Sequence, residues 1–148
     1  MLKRIKQMLS RSTAHRERRL SPTSRLGRLG EGEAARHLKA EGYRILERNY
    51  RVKQGEIDIV AFRDGVLAFV EVRAQTQPSP IDALETITRR KQRRVIKAAQ
   101  TYATVNKLGE SDVALRFDVV TVLFDQGGRR VSMTHLEDAF QVQTRGVS

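Results

Sequence analysis

Two carboxylates in neighbouring predicted strands are the residues of this sequence best placed to do chemistry. Asp58 lies in the apolar run 55–62 and Glu71 in the apolar run 66–73, with Asp64-Gly65 between the two runs. That dipeptide is typical of a two-residue hairpin turn. Counting back from such a turn places Asp58 directly opposite Glu71, with Cβ atoms roughly 4.5–5.5 Å apart. Like charges at this distance need a cation, and a divalent metal ion is the natural one.

The same register extends the polar cluster by one pair, because it places Glu56 opposite Arg73, where the two can form an ion pair. Side chains alternate between the two faces of a strand. The polar face is predicted to hold Glu56, Asp58, Glu71 and Arg73, and the apolar face Ile57, Ile59, Val70 and Val72. A polar cluster at one end of an otherwise apolar sheet indicates a site set into the edge of the core.

A predicted helix over 24–41, ending near Gly42, supplies a third carboxylate. Glu31 begins the helical stripe that continues through Ala34, Ala35 and Leu38, whereas Glu33 lies off that stripe. Glu31 therefore points towards the core in this prediction. Stabilisation of the first helical turn through the helix dipole explains Glu31 equally well.

A second helix, predicted over roughly 81–107, carries one charged residue, Lys91, on its apolar face. The rest of that face consists of Leu84, Ile87, Val95, Ala98 and Tyr102. Lys91 is either a cation near a phosphate or a lysine that extends past the edge of the core into solvent. Another face of this helix suits contacts to backbone phosphates, or is merely solvated. Its basic residues are Arg90, Arg93, Arg94 and Lys97.

These helices are separated by strands in an order that predicts an α/β fold. A strand over 43–52 precedes the hairpin, and a strand over 113–124 follows the second helix, which suits a crossover to a parallel neighbour. A short strand over 130–133 and a helical turn over 136–140 complete the prediction. The expected result is a mixed central sheet flanked by helices. Arg116 and Asp118 share a face of its fourth strand and are assigned a structural role, paired with each other or with a neighbour.

The charge of the chain is high, +11 at pH 7, and unevenly distributed. Basic residues concentrate in 1–25 and in 85–107, which indicates a polyanionic partner, most naturally nucleic acid. A solvated basic surface and an acidic membrane surface are the alternatives. Residues 1–24 are predicted to form a basic arm, and residues 25–148 a single domain.

Several classes of protein are disfavoured by composition. No apolar run is long enough to span a membrane, and the start of the chain lacks the apolar run of a signal peptide, so a cytoplasmic protein is expected. The absence of cysteine excludes disulfides and thiolate sites. The three histidines, at 15, 37 and 135, show no metal-ligand spacing. Aromatic residues make up only 5% of the chain, which argues against base-stacking platforms.

Taken together, these residues resemble the YraN-type family of uncharacterised bacterial proteins. They resemble, more distantly, archaeal Holliday-junction resolvases and the PD-(D/E)XK nuclease superfamily. The matching pieces are Gly27-Arg28-Leu29-Gly30-Glu31 with Ala34, Gly42-Tyr43, Arg48-Asn49, Gly55-Glu56-Ile57-Asp58, Phe69-Val70-Glu71-Val72-Arg73, Thr88 with Lys91, and Arg116-Phe117-Asp118.

The resemblance implies a restriction-endonuclease-like αβββαβ core and a site that hydrolyses phosphodiester bonds in DNA. It places Glu31, Asp58 and Glu71 as ligands of Mg²⁺ or Mn²⁺, which would activate water for attack. Arg73 and Lys91 would complete the catalytic group. The nuclease pattern has lysine where this chain has Arg73, and an arginine cannot give up its proton at working pH.

Two other functions remain open at this point. A nuclease-fold protein could bind DNA or RNA without cutting it, and a structural or regulatory protein could use the basic arm to reach a membrane or an acidic partner. A homodimer would suit a four-way junction as target, because two strands must be cut there.

Overall fold

The computed structural model describes residues 25–78, 87–110 and 112–142. The predicted arm over 1–24 and the helical residues predicted over 81–86, with Leu84, lie outside the described residues. The division of the chain into an arm and one domain therefore stays a prediction.

The described elements form one five-stranded sheet with a helix on each side. In chain order they are α1 (Arg25–Ala40), β1 (Arg44–Val52), β2 (Gly55–Arg63), β3 (Val66–Thr76), α2 (Arg89–Val105), a short 3₁₀ helix (Leu108–Glu110), β4 (Ala114–Phe124) and β5 (Arg130–Phe140). The sheet order is β1-β2-β3-β4-β5. Only β3 and β4 are parallel, and the other neighbours are antiparallel. The predicted αβββαβ core with a mixed central sheet is confirmed.

The predicted hairpin between β2 and β3 is also confirmed, together with its register. Asp64 and Gly65 have φ values of 49° and 76°, the left-handed conformation that a type I′ turn requires at both central positions. Arg63 pairs with Val66, and the pairing continues to Ile59 and Val70.

The second helix begins later than the sequence predicts. The side chain of Thr88 accepts a hydrogen bond from the backbone N–H of Lys91 at 3.1 Å, so Thr88 caps the helix and Ile87 precedes it. Ile87 is nevertheless buried in the core. At the other end, the helix stops at Val105 rather than near Gly109.

The predicted helical turn near the C-terminus is wrong, since β5 continues unbroken to Phe140. Leu136, Ala139 and Phe140 have a helix-like spacing, but Asp138 adopts a left-handed φ of 52° and changes the alternation of the strand. Buried Asp118 holds this part of β5 in place, because it accepts a hydrogen bond from the backbone N–H of Asp138 at 3.0 Å.

The core consists of one apolar layer on each side of the sheet. The α2 layer includes Leu46, Ile57, Val60, Phe69 and Tyr102, and the α1 layer includes Ala34, Leu38, Ile59, Val70 and Val120.

Ile57 was predicted to share a face with Ile59, and this is wrong, because the two lie in different layers. Asp58 lies between them, opposite Asn49 in the register of β1 and β2. Asn49 has a left-handed φ of 55°. The irregular backbone at this point changes the side-chain alternation that a regular strand would keep.

Two glycines let the helices approach the strands beside this irregularity. A Cβ atom on Gly30 of α1 would lie 2.7 Å from the Cβ of Ala74 in β3. A Cβ atom on Gly55 of β2 would lie only 1.8 Å from the carbonyl oxygen of Arg94 in α2. Both helices can therefore reach the region of Asp58 and Glu71.

Candidate active site

The sheet divides at Asp58. The ladder between β2 and β3 ends at the pair Ile59 and Val70, while β2 stays paired with β1 as far as Gly55. On the other side, β3 stays paired with β4 as far as Thr76. We call this gap between the diverging strands the fork, and Asp58 and Glu71 are the first residues past the last pair.

Just past the end of the backbone ladder, the side chain of Asp58 makes a hydrogen bond to β3. Its Oδ2 accepts a hydrogen bond from the backbone N–H of Val72 at 2.8 Å. This contact ties the carboxylate of β2 to the backbone of β3 beside Glu71. The predicted meeting of Asp58 and Glu71 thus occurs, at the point where the sheet opens.

Glu71 is 1% exposed, and its main contact comes from α2. The Nζ atom of Lys91 lies 2.6 Å from Glu71 Oε1. By strict geometry neither Glu71 oxygen has an aligned hydrogen-bond partner among the described residues, although Asp58 and Lys91 both act on its ionisation. Lys91 therefore places a cation against Glu71 without an aligned hydrogen bond.

Glu31 approaches the fork from α1 and is 5% exposed. Its side chain is hydrogen-bonded by Asn49 and lies within the electrostatic influence of Asp58, Arg48 and Arg51. Its Oε1 atom is buried without a hydrogen-bond partner among the described residues. The sequence did not single out Arg48, Asn49 or Arg51 for a role here, because the left-handed conformation of Asn49 leaves no signature in residue spacing.

All three carboxyl groups have raised pKa values. Burial, and then the charge of Asp58, raise the pKa of Glu31 to about 7. Burial, again followed by the charge of Asp58, raises the pKa of Glu71 to about 8 although Lys91 opposes it. Burial also raises the pKa of Asp58, against the hydrogen bond from Val72. A cation bound at the fork would relieve this destabilisation of the charged forms.

Arg73 does not form the expected ion pair with Glu56. Glu56 Oε2 instead lies 3.6 Å from Arg51 Nε, on the other side of β2. Because β2 and β3 have separated at this point, Glu56 and Arg73 are no longer neighbours. Among the described acidic side chains we find none that forms an ion pair with half-buried Arg73.

The four basic residues predicted to contact phosphates are all exposed on α2. They are Arg90, Arg93, Arg94 and Lys97. Lys91 differs from them, since it turns inward to Glu71. Their binding roles stay predictions.

The fork can be tested against the requirements of a metal ion. Within the described part of the chain, no group of three or more His, Asp or Glu side chains is placed to enclose one. Mg²⁺ commonly needs only one or two carboxylates, since waters and substrate phosphates complete its octahedron. The unsatisfied oxygens of Glu71 beside Asp58 fit that donor set, and the role of Glu31 as a third ligand stays a prediction.

A second polar cluster lies on the α1 side of the sheet, around Asp118. The Arg116 guanidinium donates to both Asp118 oxygens at 2.8 Å, which confirms the predicted pair. His135 Nε2 lies 2.9 Å from Asp118 Oδ2. Burial works to raise the pKa of Asp118, but the hydrogen bonds from His135 and Arg116 outweigh it and keep that pKa below its usual value.

Two histidines meet in this cluster, which residue spacing did not indicate. His37 Nε2 lies 3.3 Å from His135 Nδ1, across 98 residues of sequence. Arg116 also donates to the hydroxyl of Tyr43 at 2.5 Å. The cluster connects α1, the turn before β1, β4 and β5, and its role is structural.

None of the described helices has the length and apolarity needed to cross a membrane.

The sequence model of the Uncharacterised protein family UPF0102 matches residues 30–122, a range that includes the whole fork. A UPF0102 protein of Chlorobaculum parvum is 42% identical over 125 residues, covering 82% of this chain and 95% of the relative. One from Pelotomaculum thermopropionicum is 45% identical over 115 residues, covering 78% and 94%. One from Clostridium perfringens is 40% identical over 117 residues, covering 79% and 94%. The chain therefore belongs to the UPF0102 family, the YraN-type family that its motifs resemble.

Proposed function

We propose that this protein is a metal-dependent endonuclease that hydrolyses phosphodiester bonds in DNA. The observation that carries the proposal is the meeting of Asp58 and Glu71 at the fork, with the Lys91 ammonium 2.6 Å from Glu71. Carboxylates with raised pKa values grouped around a cation are characteristic of functional sites.

Asp58 and Glu71 would hold Mg²⁺ or Mn²⁺, with Glu31 beside them. When bound, such an ion would stabilise negative charge on the phosphate and lower the pKa of water at the site. Because Glu31 and Glu71, with pKa values raised to about 7 and about 8, are partly protonated near neutral pH, the ion competes with protons and binds more tightly as pH rises.

Arg73 and Lys91, the two cations near the fork, have different roles in this proposal. An arginine keeps its proton at any working pH, so Arg73 is suited to stabilising charge on the phosphate. A lysine presents a compact ammonium on a flexible stem, and Lys91 brings one from α2 to within 2.6 Å of Glu71. Lys91 thus supplies a lysine ammonium, which the nuclease pattern has at the position of Arg73.

The test is incubation of purified protein with duplex, flapped and four-way-junction DNA in Mg²⁺, in Mn²⁺ and in EDTA. We expect cleavage only with metal, and at least a 100-fold loss of rate in Asp58→Ala and Glu71→Ala. Glu41→Ala is the matched control, because Glu41 is an exposed acid whose backbone contact to Arg63 survives the substitution. Cleavage that persists in Asp58→Ala would remove the proposal.

The Lys91 contact also favours a second function, nucleic-acid binding without cleavage. Since Lys91 already neutralises Glu71, the fork is partly balanced without a metal ion. Calorimetry with Mn²⁺ separates the two functions. The endonuclease requires binding that is lost in Asp58→Ala, whereas DNA binding with neither Mn²⁺ binding nor cleavage would establish the non-catalytic protein.

A further inference from the structure

The side of the fork away from α2 is also lined by basic residues. Arg48 of β1 and Lys53 of the following turn are exposed, and Arg51 is half-buried beside Glu56. Arg48 and Arg51 act on the ionisation of Glu31, which places them at the border of the fork. From residue spacing, phosphate contacts are predicted for α2 alone.

One end of this set lies against α2. Gly55 lies so close to the Arg94 carbonyl that a Cβ atom would be 1.8 Å from it. The turn that holds Lys53 therefore lies beside the first turns of α2, where Arg93 and Arg94 are exposed. We call the basic residues on both sides of the fork the basic rim. It consists of Arg90, Arg93, Arg94 and Lys97 on α2, Lys53 in the turn, and Arg48 and Arg51 on β1.

The aromatic residues indicate which form of nucleic acid the rim suits. The chain has five Phe, three Tyr and no Trp, and all eight lie within the described residues. None of the eight is exposed, and Tyr50 and Phe62, the least buried, pack against the α2 layer. Proteins that hold single strands stack unpaired bases on exposed aromatic rings. A charged surface that lacks such rings is suited to phosphate backbones, whose contacts do not depend on the bases.

We propose that the basic rim binds double-stranded nucleic acid through its phosphate backbone, with the duplex lying across the fork from α2 to β1. The choice of nucleic acid as partner rests on the proposed function. The β1 side of the rim and the selection of duplex over single strand go beyond it.

The first test is fluorescence anisotropy in EDTA, with a labelled 20-base-pair duplex and the single strand of the same sequence. EDTA prevents metal-dependent cleavage, so binding is measured alone. We expect the duplex to bind at least tenfold more tightly, with affinity that falls steeply as salt rises. Equal or tighter binding of the single strand, or no binding of the duplex, would overturn the proposal.

The second test removes two charges from the β1 side with Arg48→Gln and Lys53→Gln combined. We expect at least a tenfold loss of duplex affinity at low salt, and a salt slope smaller by about 0.9 for each lost phosphate contact. The matched control combines Lys39→Gln and Arg44→Gln, two exposed cations at the far ends of α1 and β1. Equal losses in both double variants would show that only total charge matters and would overturn the assignment to β1.

If the double variant fails to fold, as judged by circular dichroism, Lys53→Gln alone should lower the slope of log affinity against log salt by about 0.9. Duplex binding without cleavage leaves the inference standing and removes only the proposed hydrolysis. Cleavage of DNA without duplex preference leaves the proposed hydrolysis standing and removes the inference of duplex selection.

Discussion

Two buried acids on neighbouring strands of this sheet have opposite environments. Glu71 of β3 is in register with Val119 of β4, and Asp118 of β4 is in register with Val70 of β3. The two acids are thus one residue apart along the sheet, but Glu71 contacts α2 and Asp118 lies on the α1 side. Both are almost inaccessible to solvent.

What distinguishes them is the number of partners that satisfy their oxygens. Asp118 accepts hydrogen bonds from Arg116, His135 and the backbone of Asp138, and its pKa is lowered. Glu71 has the Lys91 contact and the neighbouring Asp58 carboxyl group, and its pKa is raised. A buried carboxylate that is fully satisfied stabilises a fold, whereas one left unsatisfied is available for a ligand.

The largest expected effect is on stability, at Asp118. Asp118→Ala leaves the Asp138 N–H without its acceptor and removes the buried carboxylate that Arg116 contacts through two hydrogen bonds, and we expect a loss of about 3–5 kcal/mol in the free energy of unfolding. Urea denaturation at pH 7 measures it. Glu71→Ala should cost far less, because it removes an acid that is destabilised by burial. Similar losses for the two variants would contradict the contrast between them.

The next effect is stabilisation by metal. A ligand that binds only the folded state adds about 2.7 kcal/mol at one hundred times its Kd. We expect Mn²⁺ to raise the melting temperature of the wild type at pH 8 and to leave Asp58→Asn unchanged. Asp64→Asn is the control, since Asp64 is exposed in the hairpin turn and asparagine tolerates its left-handed backbone. A Mn²⁺ response that survives Asp58→Asn would place the metal elsewhere.

A smaller effect is expected on how the free energy of unfolding depends on pH in the absence of metal. Folded protein keeps the Glu71 proton to about pH 8, whereas the unfolded chain releases it near 4.5. Between these values the folded state binds more protons, so stability falls as pH rises. A pKa difference of one corresponds to about 1.4 kcal/mol.

Glu71→Gln removes that contribution. We expect the variant to match the wild type near pH 4 and to be at least about 1 kcal/mol more stable at pH 8 in EDTA. Asp118 acts in the opposite sense, because its lowered pKa contributes stability that is lost as pH falls through the folded value. Urea denaturation between pH 4 and pH 8 measures both. A wild-type profile as flat as that of Glu71→Gln would refute the raised pKa.

The smallest expected effect is that of Arg73→Lys. Arg73 is half-buried and forms no ion pair with a described acid, so its replacement should change stability by less than about 0.5 kcal/mol. If Lys91 supplies the lysine ammonium that the site needs, Arg73→Lys should also change the cleavage rate less than Lys91→Gln does. A greater loss of rate in Arg73→Lys than in Lys91→Gln would assign the leading role to Arg73.

The hairpin could be predicted from sequence because its determinants are local. Asp64-Gly65 sets the turn, and the turn sets the register up to Ile59 and Val70. The fork beyond that pair was not predictable. It depends on the left-handed backbone of Asn49 in another strand, and on the close helix–strand packing that Gly30 and Gly55 allow. The ion pair expected between Glu56 and Arg73 failed for this reason. The Asp118 cluster shows the same limit, since only the folded sheet brings His37 to His135.

Local patterns in the sequence are enough to predict the order of elements, the mixed sheet, the proximity of Asp58 to Glu71 and the inward stripe that begins at Glu31. These follow from turn chemistry and from the periods of strands and helices, which act between near neighbours in the chain. The contact of Lys91, rather than Arg73, with Glu71, and the position of basic residues of β1 beside the same site as those of α2, arise only in the folded protein. Those outcomes depend on where separate elements pack, and packing is set by contacts between residues far apart in sequence.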